Sequence, residues 1–331
     1  MSFVVNGAEW CFDGMDPADV GRAFEKVLQF VGTSVERSEA VQIGDDFQSR
    51  HMLGTLSLWE LCSAETGLGL SGDLQQELAA WLGRAEYYAD SDEWPEGAED
   101  SQISIGTDAP FENADVAWVH HSIRAGIPAA CLTLGEAFIG NVSSSEGTLD
   151  VHFVCDDSSR KNFWRDAIVL KGDSHLSLTE FAARAYPNLY FAGGTLQDVT
   201  NLSGGYNAAR ERVQNTFQIL DDFGHWIFTF PPPAVTPDES GTVSVGENPT
   251  NQLIESRFGG FGLSAAPEKP NVYAVRACRE ARETILNGRR IYCEWHIKLE
   301  AHRNRIHLHP PIHESGDKVV VGMIHEHLPL P

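Results

Sequence analysis

The sequence lacks long hydrophobic runs and paired cysteines, and its Lys and Arg residues are only about half as numerous as its Asp and Glu, 24 against 47. No stretch approaches the roughly 18 uninterrupted apolar residues that a membrane helix requires. The first residues include neither a basic leader nor a cleavage site of small residues. We therefore expect a cytoplasmic protein that has no membrane partner. The six cysteines form no CxxC motif and no close pair, which argues against a zinc knuckle or a disulfide framework.

Negative charge dominates the chain, but it is unevenly distributed. The formal net charge is -23, which argues against nucleic-acid binding over the whole surface. From Val275 to Pro331 there are nine Lys and Arg against seven Asp and Glu, whereas residues 1–274 have 15 against 40. Seven of the thirteen histidines lie in the last 36 residues. The composition thus predicts an acidic body and a near-neutral module that takes up protons readily.

The hydrophobic pattern predicts both helices and strands, and hence an α+β protein. Asp16-Pro17 followed by apolar residues at helical spacing predicts a helix over 17–31. A longer helix is expected over 204–222, with Gly224 just past its end. Short apolar runs bounded by turn residues predict buried strands at 128–140 and 149–155.

Composition also predicts where the chain divides. Residues 231–251 are rich in proline, glycine and hydroxyl side chains, which is typical of a linker. We therefore expect an acidic mixed α/β domain at 1–230, whose role the sequence does not disclose, and a separate module at 252–331.

The C-terminal module is predicted to combine one helix with a three-stranded antiparallel sheet. Residues 271–287 show apolar residues at helical spacing between arginines, and Gly288 follows as a C-terminal glycine cap. Three runs with strand periodicity follow at 291–299, 305–310 and 318–328, separated by turn residues. A meander of consecutive antiparallel strands is the simplest topology.

Side chains alternate along each of these strands, so one face should be apolar and the other ionisable. We expect the predicted helix, whose arginines point outward, to cover the apolar face. Because neighbouring strands lie about 4.8 Å apart, the ionisable side chains should form one patch. Its expected members are Glu294, His296, Lys298, Arg305, His307, His309, His325 and His327.

The strands of the module contain three runs that together resemble a known family: Cys293-Glu-Trp-His-Ile-Lys-Leu, Asn304-Arg-Ile-His-Leu-His and Val319-Val-Val-Gly-Met-Ile-His-Glu-His-Leu-Pro329. The family is the RelE superfamily of toxins, small RNases that cut messenger RNA, and the resemblance is to their C-terminal half. The resemblance covers about 60 residues. The whole chain also resembles actinobacterial proteins that end in the same -EHLPLP pattern, and that likeness implies no activity.

The resemblance to RelE toxins implies an endoribonuclease that needs no metal, acting as a toxin or an anti-phage defence effector. Lys298 and Arg305 would hold the phosphate and stabilise its developing charge. His307, His309 or His325 would act as base and acid during attack of the 2′-hydroxyl. RNA or the ribosome would then bind at the C-terminal module.

Two other functions remain open from the residues alone. The histidine patch is also typical of a metalloenzyme that binds Zn or another divalent transition metal. Its ligands would come from Glu294, His296, His307, His309, His325 and His327. Alternatively, the chain is a non-enzymatic subunit of a defence or toxin–antitoxin operon, whose acidic body binds an antitoxin or another defence subunit.

Overall fold

A computed structural model describes residues 2–61, 70–91, 101–229 and 249–331. The chain forms two compact units, Met1–Lys171 and Gly172–Pro331. Each contains helices and sheets, so the predicted α+β class is confirmed. Most of the negative charge belongs to the first unit, which has 10 Lys and Arg against 29 Asp and Glu, whereas the second has 14 against 18. In the part of the chain that the structure describes, we find no helix of the length and apolarity needed to cross a membrane.

The first unit contains an eight-stranded sheet and a small hairpin. Its helices are α1 (Pro17–Glu36), α2 (Leu58–Leu61), α3 (Gly72–Leu82), α4 (Tyr88–Ser91), α5 (Ala114–Arg124) and α6 (Asp157–Leu170). Its strands are β1 (Ser2–Val5), β2 (Ala40–Ile43), β3 (His51–Leu53), β4 (Leu56–Ser57), β5 (Glu86–Tyr87), β6 (Gln102–Ile105), β7 (Phe111–Glu112), β8 (Ala129–Leu132), β9 (Phe138–Ser144) and β10 (Gly147–Val154). The large sheet has the order β5-β2-β1-β8-β10-β9-β6-β7, and its first five strands are parallel.

Helices cover both faces of this sheet. Consecutive side chains of β1 point in opposite directions, so neighbouring residues pack against different helices. Phe3 lies 5.0 Å from the ring of Phe30 in α1 and 5.4 Å from that of Phe163 in α6. Its neighbour Val4 packs on the other side with Val116 and other buried residues of α5. The predicted helix at 17–31 is confirmed as α1, and the Asp16 side chain accepts a hydrogen bond from the Ala18 amide at its start.

The second unit is built around a five-stranded sheet. Its helices are α7 (His175–Ala185), α8 (Gly205–Phe228), α9 (Asn251–Gly260), α10 (Pro270–Ala274) and α11 (Arg276–Glu280). Its strands are β11 (Leu189–Phe191), β12 (Ser264–Pro267), β13 (Glu283–Leu286), β14 (Arg289–Tyr292), β15 (Trp295–Lys298), β16 (Arg305–Ile312) and β17 (Lys318–His325). The sheet order is β11-β17-β16-β15-β12. The predicted meander is present as β15-β16-β17, with both pairs antiparallel.

The single helix predicted over 271–287 is wrong. The chain there forms the short helices α10 and α11 and then strand β13, which pairs with β14 in a separate hairpin. Asn287 and Gly288 have φ angles of 47° and 80°, which suit the two central positions of a tight hairpin turn. Gly288 therefore turns a hairpin and caps no helix, and the preceding β-branched residues Thr284 and Ile285 lie in a strand.

The apolar face of the sheet is covered by α8 and α9 instead. Trp295 of β15 contacts the rings of Phe228 at 5.9 Å and Phe258 at 6.2 Å. The helix predicted at 204–222 is α8, which is longer than expected. Gly224 lies inside this helix and not just past its end, at a point where the helix approaches the sheet closely. A Cβ at Gly224 would meet Val319 Cγ2 of β17 at 2.8 Å, so this glycine serves packing.

These packing relations assign residues 172–229 to the second unit, whereas the sequence prediction placed them in the first domain. β11 extends the sheet by pairing in parallel with β17, and α8 supplies part of its core. Both depend on contacts between residues far apart in sequence. The predicted linker at 231–251 lies mostly outside the described residues.

One extra residue interrupts the pairing of β16 with β17. His307 pairs with Met323 and Leu308 pairs with Val321, so Gly322 has no partner across the ladder. Such a bulge bends the strand and increases its local twist. A Cβ at Gly322 would lie 2.1 Å from Cys293 Sγ, and this close approach leaves room only for glycine.

Replacing Gly322 by alanine should therefore destabilise the protein by about 1–3 kcal/mol, the usual cost of overpacking a core. Denaturant unfolding measures the loss. Gly259→Ala in α9 is the matched control, because a Cβ there meets nothing within 4 Å. If the clash with Cys293 is the cause, Cys293→Ala should restore part of the lost stability in the double variant. Equal stabilities of the Gly322 and Gly259 variants would contradict this account.

Candidate functional site

A cavity of about 250 Å³ lies over the ionisable face of the sheet in the second unit. Residues from β12, β15 and β16 line it, together with residues from the segments around α10, before β13 and after β17. The lining residues that carry charge or an imidazole ring are Glu268, Lys269, Arg282, His296, Lys298, Arg305, His307 and His327. Apolar residues complete the wall, among them Val272, Leu328 and Leu330.

Strand register sets two rows of functional side chains side by side. His296 of β15 pairs with His307 of β16, and Lys298 pairs with Arg305. The two rows are separated by two residues along each strand, so all four side chains lie on the same face. The rings of His296 and His307 are 5.7 Å apart between centroids. The face therefore presents an imidazole pair next to a pair of cations.

A single carboxylate oxygen lies at the centre of the buried part of the site. Oε1 of Glu268 is 3.0 Å from Arg282 Nε, 3.1 Å from His296 Nδ1 and 3.3 Å from His307 Nδ1. The side chains of Glu268, Arg282 and His307 are 6%, 3% and 1% exposed, and that of His296 is 14% exposed. Glu268 is positioned by its backbone, whose amide donates to the Glu294 carbonyl and continues the pairing of β12 with β15.

These contacts have the distances of ion pairs without the alignment of hydrogen bonds. Glu268 Oε1, Arg282 Nε, His296 Nδ1 and both ring nitrogens of His307 have no aligned hydrogen-bond partner within the described ranges. Buried polar atoms normally have one, and unpaired ones are costly in a core. The buried end of the site therefore contains unused hydrogen-bonding capacity.

The protonation states follow from burial and neighbouring charge. Burial lowers the pKa of His307 to about 4, although Glu268 acts in the opposite direction, so the ring is neutral at pH 7. Burial alone would raise the pKa of Glu268, but the two imidazoles and the Arg282 guanidinium outweigh it and hold that pKa well below its usual range. The site thus combines a carboxylate, a guanidinium and a neutral imidazole.

Glu268 and Arg282 were not among the residues predicted from the sequence. Glu268 lies outside the three predicted strands, and only the pairing of β12 at the sheet edge brings it to the site. Arg282 was placed on the outer face of the predicted helix, but it is buried. Its Nη1 donates to the carbonyls of Cys278 at 2.8 Å and Pro329 at 3.0 Å. The Pro267-Glu268-Lys269 run gives no periodic signal that would have identified the carboxylate.

Three further cations at the cavity have no counter-ion among the described residues. Over the residues that the structure describes, Lys269, Lys298 and Arg305 form no ion pair. Lys298 and Arg305 face each other directly across two strands, and like charges in that position destabilise a sheet. A bound anion would remove this repulsion.

The structure brings five of the eight predicted patch residues to this cavity: His296, Lys298, Arg305, His307 and His327. Among the described residues, Glu294, His309 and His325 do not line it. On β16 the lining of the cavity consists of Arg305 and His307 and does not extend to His309. His309 Nδ1 instead lies 2.7 Å from the Pro310 carbonyl, and His325 Nδ1 accepts a hydrogen bond from the His327 amide.

The six residues predicted as metal ligands do not form one cluster. Within residues 2–61, 70–91, 101–229 and 249–331, no group of three or more His, Cys, Asp or Glu side chains is arranged to hold a metal ion.

The chain matches no family model, no curated protein and no solved structure. The resemblance to RelE toxins thus stays a prediction. The chemistry of the cavity is the basis for assigning a function.

Lowering the pH should destabilise the protein through His307. Its pKa is about 4 when folded and ordinarily 6.5, so between these values the unfolded chain binds the proton first. The contribution of His307 to the free energy of unfolding is complete above pH 6.5, and about 3 kcal/mol of it is lost as the pH falls towards 4. Urea unfolding at several pH values should show a shallower dependence for His307→Gln than for the wild type.

The exposed His302 offers a matched control, because His302→Gln should leave the pH dependence unchanged. An NMR titration of the wild type provides a second measurement that needs no variant. A His307 ring that titrates near pH 6.5 in the folded protein would contradict the expected state.

Proposed function

We propose that this protein is a cytoplasmic endoribonuclease that cleaves RNA by attack of a 2′-hydroxyl on the neighbouring phosphate. The observation that supports the proposal is the register of β15 with β16, which sets the pair His296 and His307 beside the pair Lys298 and Arg305 in one cavity. Cleavage of this kind requires proton transfer at two oxygens and stabilisation of charge on a phosphate, and the two pairs match these tasks.

Lys298 and Arg305 bind the phosphate in this proposal. Neither has an ion-pair partner among the described residues, and both line the cavity. An arginine presents a planar fork that suits two phosphate oxygens, and a lysine adds a compact positive charge. Both cations would stabilise the additional negative charge that develops on the phosphate during attack.

His307 acts as the general base and His296 as the general acid. The neutral ring of His307 takes the proton of the 2′-hydroxyl as that oxygen forms a bond to phosphorus. The bond from phosphorus to the 5′-oxygen then breaks, and protonated His296 gives its proton to the leaving oxygen. The products are a 2′,3′-cyclic phosphate and a 5′-hydroxyl. Burial lowers the pKa of His307, so this ring is unprotonated at pH 7, the state that a general base requires.

Glu268 serves as a positioning residue for both rings. Its Oε1 lies within 3.3 Å of Nδ1 of each imidazole, so its negative charge favours a proton on Nδ1 even though neither contact is aligned as a hydrogen bond. The other ring nitrogen, Nε2, then exchanges the proton with the substrate. Arg282 holds Glu268 ionised by direct charge pairing at 3.0 Å.

Replacing His307 by glutamine should lower the rate of RNA cleavage by about 100-fold or more, the usual contribution of a general base. His309→Gln is the matched control on the same strand, because His309 does not line the cavity. The assay follows a short single-stranded RNA with a fluorophore and a quencher at its ends, and the new ends are identified by mass spectrometry. Lys298→Gln should both weaken substrate binding and lower the rate of cleavage, because this cation is assigned to the bound phosphate and to the charge that develops on it.

Three results would refute the proposal. They are absence of cleavage by the wild type over a broad set of RNA sequences, equal rates for the wild type and His307→Gln, and products that end in a 3′-hydroxyl. Purifying all variants by one procedure controls for contaminating nucleases, because a contaminant would give equal rates.

A further inference from the structure

The cavity carries more positive charge than one phosphodiester can match. Lys269, Lys298 and Arg305 contribute three positive charges without an ion pair among the described residues, whereas Arg282 is matched by Glu268. The phosphate between two nucleotides carries a single negative charge. About two positive charges would remain unmatched if one internal phosphate were the whole ligand, and cations kept together without an anion repel each other.

The size of the cavity limits what else can enter. Its volume of about 250 Å³ is below the roughly 300–1,000 Å³ of pockets that hold drug-sized ligands. The side chains of Glu268, Arg282 and His307, each no more than 6% exposed, form its buried end. Lys269 is exposed, so the polar lining extends from a buried end to the surface. A space of this size accepts about one unpaired nucleotide and excludes a duplex.

We infer that the cavity binds the end of a single RNA strand, specifically an end that carries a terminal phosphate. A terminal phosphate has a charge of about -1.5 to -2 at pH 7, as other phosphomonoesters do. Together with the adjacent phosphodiester it brings about three negative charges, which match Lys269, Lys298 and Arg305. The binding preference stands on charge and size alone, whereas cleavage of the adjacent bond rests on the proposed function.

The remaining wall of the cavity indicates how the nucleotide is held. Val272 and Leu328 are 3% and 8% exposed, and both line the cavity with Leu330. These aliphatic side chains can contact a ribose or the face of a base. Among the lining residues that the structure describes there is no aromatic side chain apart from the histidines, and stacking on aromatic rings is the usual way to hold a single-stranded base. The terminal phosphate therefore dominates recognition, with little preference among bases.

Calorimetry with the full-length protein tests the inference. The probes are three thymidine dinucleotides that lack a 2′-hydroxyl and so cannot be cleaved: one without a terminal phosphate, one with a 5′-phosphate and one with a 3′-phosphate. We expect one phosphorylated form to bind at least 10-fold more tightly than the unphosphorylated form. Which of the two binds more tightly identifies the strand end.

Variants place the preference at the cavity. Lys269→Gln changes an exposed residue and should reduce the preference for a terminal phosphate at least 5-fold without affecting folding. Lys318→Gln removes the same charge from the second unit, outside the cavity lining, and should leave the preference intact. Equal affinities for all three dinucleotides would overturn the inference, as would a preference that persists unchanged in Lys269→Gln.

The inference and the proposed function can fail separately. Tighter binding of a phosphorylated dinucleotide without cleavage of any RNA would support the strand-end site and refute the ribonuclease. Cleavage of RNA in the wild type, combined with equal dinucleotide affinities, would support the ribonuclease and overturn the strand-end site.

Discussion

The second unit depends on one buried carboxylate oxygen that three nitrogen atoms approach from different elements. Glu268 extends from β12, Arg282 precedes β13, and the two imidazoles come from β15 and β16. Bringing a carboxylate and a guanidinium out of water costs several kcal/mol per ion, and their attraction offsets this only while both are present. Loss of either would leave a buried charge without a partner, so the group has to be kept as a whole.

This arrangement separates two environments within one cavity. At the buried end, Glu268 pairs with the guanidinium of Arg282. The ring of His307 stays neutral there because desolvation disfavours its protonated form. Nearer the surface, Lys269, Lys298 and Arg305 form no ion pair with any residue that the structure describes. The proposed proton transfer would use the first environment, and the proposed phosphate binding would use the second. In a chain with a net charge of -23, such a concentration of cations is a local feature that overall charge conceals.

Local patterns in the sequence were sufficient for the part of the site that alternation controls. Alternation of side chains along β15 and β16 predicted one shared face for His296, Lys298, Arg305 and His307. The observed register of the two strands confirms this. The same reasoning failed at His309, because the extent of the cavity along β16 depends on the surrounding elements and not on the alternation of the strand. The Asn287-Gly288 turn shows a different limit, since apolar residues at helical spacing preceded it and the turn signal was interpreted as a helix end.

Glu268 could not have been predicted from local sequence for a further reason. Its burial results from the pairing of β12 with β15 and from the arginine that reaches it, and both are tertiary contacts. The domain organisation was limited in the same way, because β11 joins the sheet beside β17, more than a hundred residues later in the chain.

The route of the last residues has a practical consequence. Arg282 holds the Pro329 carbonyl, while His327, Leu328 and Leu330 form part of the cavity wall. Any polypeptide that continues past Pro331, including an affinity tag or a fluorescent fusion partner, therefore starts beside the cavity. Assays of ligand binding should accordingly use protein whose purification tag is attached before Met1, so that the cavity wall keeps the arrangement described above.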